Sequence, residues 1–126
     1  MTLESPTGHG SHQRIEATLL RIFIGDRDKH GHVPLYEAIV LKARELHLAG
    51  ATVLRSPMGF GKSSRMHTTK ILQLSTDMPL VIEIVDSPEK IEAFLPVLDE
   101  MMDGGLITQE KVQIVHYRSH QDLKKD

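Results

Sequence analysis

The 126-residue chain, 40% hydrophobic with a formal charge of -2 at pH 7, has room for one domain with its own core and not for two. Without a surplus of Lys and Arg, and with two Tyr, three Phe and no Trp, it is built neither to coat nucleic acid nor to stack single strands. The lack of cysteine excludes a disulfide framework, thiol catalysis and thiolate metal sites. No run has the roughly 20 apolar residues of a spanning helix, and none resembles a signal peptide, so the expected location is the cytoplasm.

Residues 1–14 mix Gly, Pro, Ser and His without periodicity and read as a disordered leader, with His9 and His12 as solvated spacers. The domain is expected over 15–118. Ala17–Ile24 is short, dense in apolar residues and ended by Gly25-Asp26, which predicts a buried strand. In the polar turn Asp26–His32, His30 and His32 are weak metal candidates beside Asp26 and Asp28, because two nitrogens do not fix a coordination geometry. Pro34 suits a first helical turn, and Leu35, Ile39, Ala43 and Leu46 recur at helical spacing until Gly50, the expected stop. His47 then lies late in that helix, where an imidazolium meets the dipole favourably.

Ala51–Arg55 predicts a second strand, Lys70–Leu74 an extended run, and Leu80–Val85 a third strand interrupted by Glu83. Glu83 is expected on the wet side of the pleat, the alternative being a basic partner from a neighbouring subunit. Ser87 caps a second helix with Pro88 in its first turn; Ile91, Phe94, Leu95, Leu98 and Met101 or Met102 form its stripe, and Pro96 should kink it. Gly104-Gly105 ends it, Lys111–Tyr117 is the last strand, and 119–126 is a polar tail.

This order of strand, helix, strand, strand, helix, strand is that of an α+β, ferredoxin-like βαββαβ sandwich: an antiparallel four-stranded sheet with two helices on one face. The other face needs a cover, since the third strand is apolar on both sides, and oligomerisation is the simplest one.

The most informative segment lies between the second and third strands. Gly59, Phe60, Gly61, Lys62, Ser63, Arg65 and His67 place turn-forming glycines beside hydroxyl and cationic donors, a composition suited to holding a phosphate or carboxylate. Gly61-Lys62-Ser63 matches the end of a Walker A loop, but Ser56-Pro57 stands where the cradle needs Gly and the residues after the loop read as extended rather than helical. The residues name no catalytic constellation, and an enzyme is not the expected reading.

Several segments in the same order resemble the nitrogen-regulatory protein PII superfamily, and most closely its PII-like branch DUF190. They are Ala49–Leu54, Gly59–Ser64 with His67, Leu74-Ser75 with Met78-Pro79, Val85–Pro88 with Lys90-Ile91, and Gly105-Leu106. The resemblance covers residues 17–117 and implies a homotrimer whose sheets face a central axis. It also implies a small anionic ligand, an adenine nucleotide as effector, at clefts between subunits, and signal transduction through the loop 56–70 to a membrane-transporter or enzyme partner. By the same resemblance Gly104, Gly105 and Lys111 belong to a second ligand-contacting loop. That loop differs here, with Leu106–Glu110 replacing the Gly-Asp-Gly-Lys of PII, and the modifiable tyrosine of the long loop has no counterpart. The alternative, prompted by eight histidines, is a metal-responsive ferredoxin-like trimer related to divalent-cation tolerance.

Overall fold

The computed structural model describes residues 14–55, 58–60, 66–68 and 78–117. The expected leader, the polar tail and the extended run at Lys70–Leu74 lie outside the described residues, apart from Arg14. The elements are β1 (Ile15–Gly25), β2 (Lys29–His30), β3 (Val33–Pro34), α1 (Leu35–Glu45), β4 (Thr52–Arg55), β5 (Met58–Phe60), β6 (Met66–Thr68), β7 (Pro79–Asp86), α2 (Pro88–Met101) and β8 (Leu106–Ile114).

Four of the strands form one sheet in the order β4-β7-β1-β8, with every neighbouring pair antiparallel. This is the ferredoxin-like sandwich expected from the order of elements. Alternation along β1 and β7 turns Leu20, Ile22, Ile24, Leu80, Ile82 and Ile84 to one side, where they join Leu35, Ile39 and Ala43 of α1 and Ile91, Phe94, Leu98 and Met101 of α2 in a single buried core.

Both helices therefore cover the same face. Ser87 caps α2 by accepting the Lys90 N–H, and Pro88 fills the first turn. The helix runs unbroken through Pro96, which lies on its exposed side, as does Glu92, whose carbonyl loses the proline's N–H as a partner.

The structure departs most from the sequence expectation at the end of α1, in the last strand and in the turn before α1. α1 stops at Glu45, not at Gly50: His47 takes a left-handed φ of 60°, its N–H bonds Arg44 O, and the Leu48 N–H reaches back to Ala43 O. That is a Schellman ending with histidine where glycine is usual. The last strand is Leu106–Ile114 rather than Lys111–Tyr117, because Leu106–Glu110 pairs with Leu19–Phe23 of β1. The polar turn before α1 contains the short β2–β3 hairpin, with His30 opposite Val33.

Candidate ligand-binding site

The glycine-rich segment leaves the sheet at the end of β4 and returns at the start of β7. Its described parts are β5 and β6, an antiparallel pair in which Gly59 lies opposite His67 and Phe60 opposite Met66. The fold therefore brings Gly59 and His67 together. Gly61, Lys62, Ser63 and Arg65 lie outside the described residues.

Asp26 fastens the root of this segment. Its N–H donates to Met78 O at 2.8 Å, its Oδ1 accepts the Met78 N–H at 2.9 Å, and its Oδ2 accepts Arg55 Nη1 at 2.8 Å. One carboxylate thus joins the last residue of β4 to the residue before β7. Asp28 supports the turn that presents it, accepting the Gly25 N–H through Oδ2 while its own N–H bonds Gly25 O. The Asp26 side chain is 19% exposed and that of Arg55 56%.

The same end of the sheet carries Gly104 and Gly105 in the turn from α2 to β8. Gly105 has φ +101°, and a Cβ there would stand 2.8 Å from Phe23 O, so only glycine fits without a shift. β4 and β8 are the two edges of the sheet, however, which places this turn about 14 Å from the root of the segment within one chain. Lys111 is not in the turn. It is mid-strand, opposite Thr18, about 20 Å further along β8 than Gly105, and it lines a cleft of about 390 Å³ with Glu16, Pro88 and Glu92.

The face of the sheet opposite the helices is mostly apolar. In register across it run Leu54, Val81, Phe23 and Leu106, followed by Thr52, Glu83, Arg21 and Thr108. Arg21 donates from Nε to Glu83 and from Nη1 to Glu110, both at 2.8 Å. The Glu83 hydrogen bond is the largest influence on the Arg21 pKa and raises it; lost hydration opposes this, and Glu110 adds to it. Glu83 accordingly lies on the side away from the helices, as expected, but half-buried and paired within its own chain rather than wet.

Two larger clefts, each of about 480 Å³, meet at Ala49–Ala51 and Tyr117, at the opposite end of the sheet. One runs along the end of α1 past Arg44 and His47, and the other over Leu19, Glu83 and Val85. They contain none of the residues singled out for ligand binding in the sequence.

The DUF190 family model, described as Uncharacterized ACR, matches residues 17–114. The chain belongs to the DUF190 family. A UPF0166 protein of Aquifex aeolicus strain VF5 is 36% identical over 102 residues, covering 81% of this chain and 96% of its own. Among solved structures, CPII of Thiomonas intermedia K12 is a nitrogen regulatory PII-like protein bound to ADP, AMP and bicarbonate. It superposes with a TM-score of 0.59 at 15% identity, covering 84% of this chain and 94% of that one. A Thermus thermophilus protein described as a PII-like signalling protein gives 0.57 at 19% identity, covering 81% and 92%. The DUF190 fold is therefore PII-like, as the sequence resemblance implied.

Nothing in the sequence of this DUF190 chain hinted at Asp26 and Arg55 as a pair. They are 29 positions apart, and only the sheet brings them together. His30 and His32 stand exposed in the strand and turn of the short hairpin, and no group of three or more His, Asp or Glu suited to a metal ion occurs among the described residues. No helix among the described residues is long and apolar enough to cross a membrane.

Proposed function

We propose that the protein is a cytoplasmic PII-like regulatory module, not an enzyme. In this reading three copies associate through the sheet face opposite the helices, bind a small anionic metabolite of the adenine-nucleotide class at the clefts between them, and signal to a partner protein, a transporter or an enzyme, through the loop 56–70. The observation that carries it is the rooting of a glycine- and cation-rich insertion at the same end of a PII-like sheet as the Gly104-Gly105 turn.

The two features lie at opposite edges of one sheet, so a neighbour's β8 edge brought against β4 is what would make them one site. The apolar row Leu54, Val81, Phe23 and Leu106 supplies the hydrophobic drive for that association. Glycine N–H groups, Lys62, Arg65 and His67 then provide the donors and charge, with Gly104 and Gly105 lending close backbone approach. The bound ADP and AMP of the Thiomonas protein support the choice of ligand class. A ligand signals only through its different affinity for the loop conformations that a partner distinguishes.

Calorimetry with ADP, AMP, ATP and bicarbonate, alongside light scattering for mass, tests the reading. Nucleotide binding by a trimer, weakened in Lys62→Ala, is the expected result. A monomer that binds none of the four overturns it.

A further inference from the structure

We infer that Arg55 is an anion-recognising side chain of the root of the loop, held in position by Asp26, with which the ligand's phosphate competes; this rests on the proposed anion binding. Arg55 is the last residue of β4, four positions before Gly59. Its Nη1 engages Asp26 Oδ2 at 2.8 Å, yet the side chain remains 56% exposed, so the guanidinium is aimed by one bond and still open to a second partner.

The planar guanidinium fork matches two oxygens of a phosphate or carboxylate, a geometry an ammonium cannot offer. An ion pair open to solvent on its guanidinium side and held by one bond is a weaker competitor than a buried bidentate one, and a phosphate with two oxygens in the guanidinium plane displaces it.

Asp26 is not set adrift by that exchange. Its Oδ1 keeps the Met78 N–H, and its own N–H keeps Met78 O. Ligand capture therefore turns one guanidinium and leaves the junction of β1 with the start of β7 intact. The chemical class that fits is a phosphate-bearing metabolite, for which ADP and inorganic pyrophosphate are the probes.

Calorimetry of both probes against the full chain, its Arg55→Gln and Asp26→Asn variants and the double variant decides the matter. Asparagine keeps an oxygen for the Met78 N–H and removes the competing charge. Arg55→Gln is expected to weaken both probes about tenfold or more. Asp26→Asn is expected to tighten them by up to about fivefold, a gain absent from the double variant.

Wild-type binding with Arg55→Gln within about twofold of it overturns the role of Arg55 alone and leaves the wider reading standing. A gain that persists in the double variant overturns the competition. No binding of ADP or pyrophosphate by the wild type overturns the role of Arg55, and a wild type that is monomeric and binds none of AMP, ATP and bicarbonate either overturns the wider reading with it. Should Asp26→Asn fail to fold, Arg55→Lys replaces it. Retaining the charge without the fork, it is expected to recover only a minor part of the affinity lost in Arg55→Gln, and full recovery overturns fork recognition.

Discussion

Arg21 and Glu83 face each other directly across the β1–β7 register and are joined at 2.8 Å on the side of the sheet that neither helix covers. Glu110, on β8, takes the other side of the same guanidinium, leaving two carboxylates to one cation in a largely apolar surface. If copies of the chain meet through this surface, Arg21 keeps those carboxylates compatible with it. Arg21→Met should then dissociate the oligomer, and adding Glu83→Gln and Glu110→Gln should restore it, because no uncompensated charge is left behind. Light scattering at several protein concentrations reads both outcomes. The raised Arg21 pKa means that its stabilising charge is complete below the ordinary arginine value and is lost only as pH rises through the higher folded one. The mass should therefore show no dependence on Arg21 ionisation between about pH 6 and 9.

Gly104 and Gly105 are adjacent, and their tolerance of a methyl group should differ sharply. At Gly105 the positive φ and the Phe23 carbonyl 2.8 Å away both oppose a Cβ, whereas nothing lies within 4 Å of one at Gly104. Gly105→Ala is expected to lower stability by about 1–3 kcal/mol. Gly104→Ala should stay within about 0.5 kcal/mol of the wild type. Urea unfolding of the two variants makes the comparison, and equal losses would contradict the strain assigned to Gly105.

Much of the fold was legible because its central pieces carry strong local signals. β7 is a near-continuous apolar run between Pro79 and Asp86, and α2 has its cap, its proline and its stripe in order. β8 was placed too late because Thr108, Gln109 and Glu110 are polar on both faces, as an edge strand permits, so no period of two survives there. The end of α1 was misplaced because glycine is the usual left-handed cap and His47 holds that position instead. At the candidate site, the glycines and cations of the loop stood out as a composition. The Asp26–Arg55 contact had no signal, since strand register is a property of the folded sheet. Glu83 was placed on the correct side of the pleat, but its pairing with Arg21 needed the same register.

That histidine cap is itself open to test. A side chain in the left-handed region costs about 1 kcal/mol relative to glycine. The bond from Lys90 Nζ goes to the His47 carbonyl at 2.8 Å and survives any change of side chain. His47→Gly should therefore stabilise the chain by about 1 kcal/mol in urea unfolding with an unchanged slope. A loss of stability would mean that the imidazole makes a contribution larger than the strain it imposes.

Packing predicts a larger effect at Phe94, which is 1% exposed and belongs to the same buried core as Leu20, Ile22 and Ile84 of the sheet. Removing its ring leaves a cavity that the sheet below cannot fill by collapse. Phe94→Ala should cost about 3–5 kcal/mol, measured by chemical unfolding. A cost below about 1 kcal/mol would contradict a close-packed core at this point.

Asp86 links the connection after α1 to the start of α2, and its chemistry fixes the sign of the last prediction. The residue is 1% exposed; Oδ2 accepts the Ala49 N–H at 2.8 Å and Oδ1 accepts the Ser87 N–H at 2.7 Å. Its negative charge also lies at the positive end of the α2 dipole. In Asp86→Asn one oxygen becomes an NH₂ group facing an N–H donor, so one of these amides must lose its partner while still buried. The expected cost is about 1–3 kcal/mol. Hydrogen exchange separates this from a general loosening. The variant should speed exchange at whichever of the Ala49 and Ser87 amides faces the new NH₂, while the β1–β7 amides slow or hasten only with global stability. Unchanged exchange at both amides would mean that the carboxylate does not hold the connection.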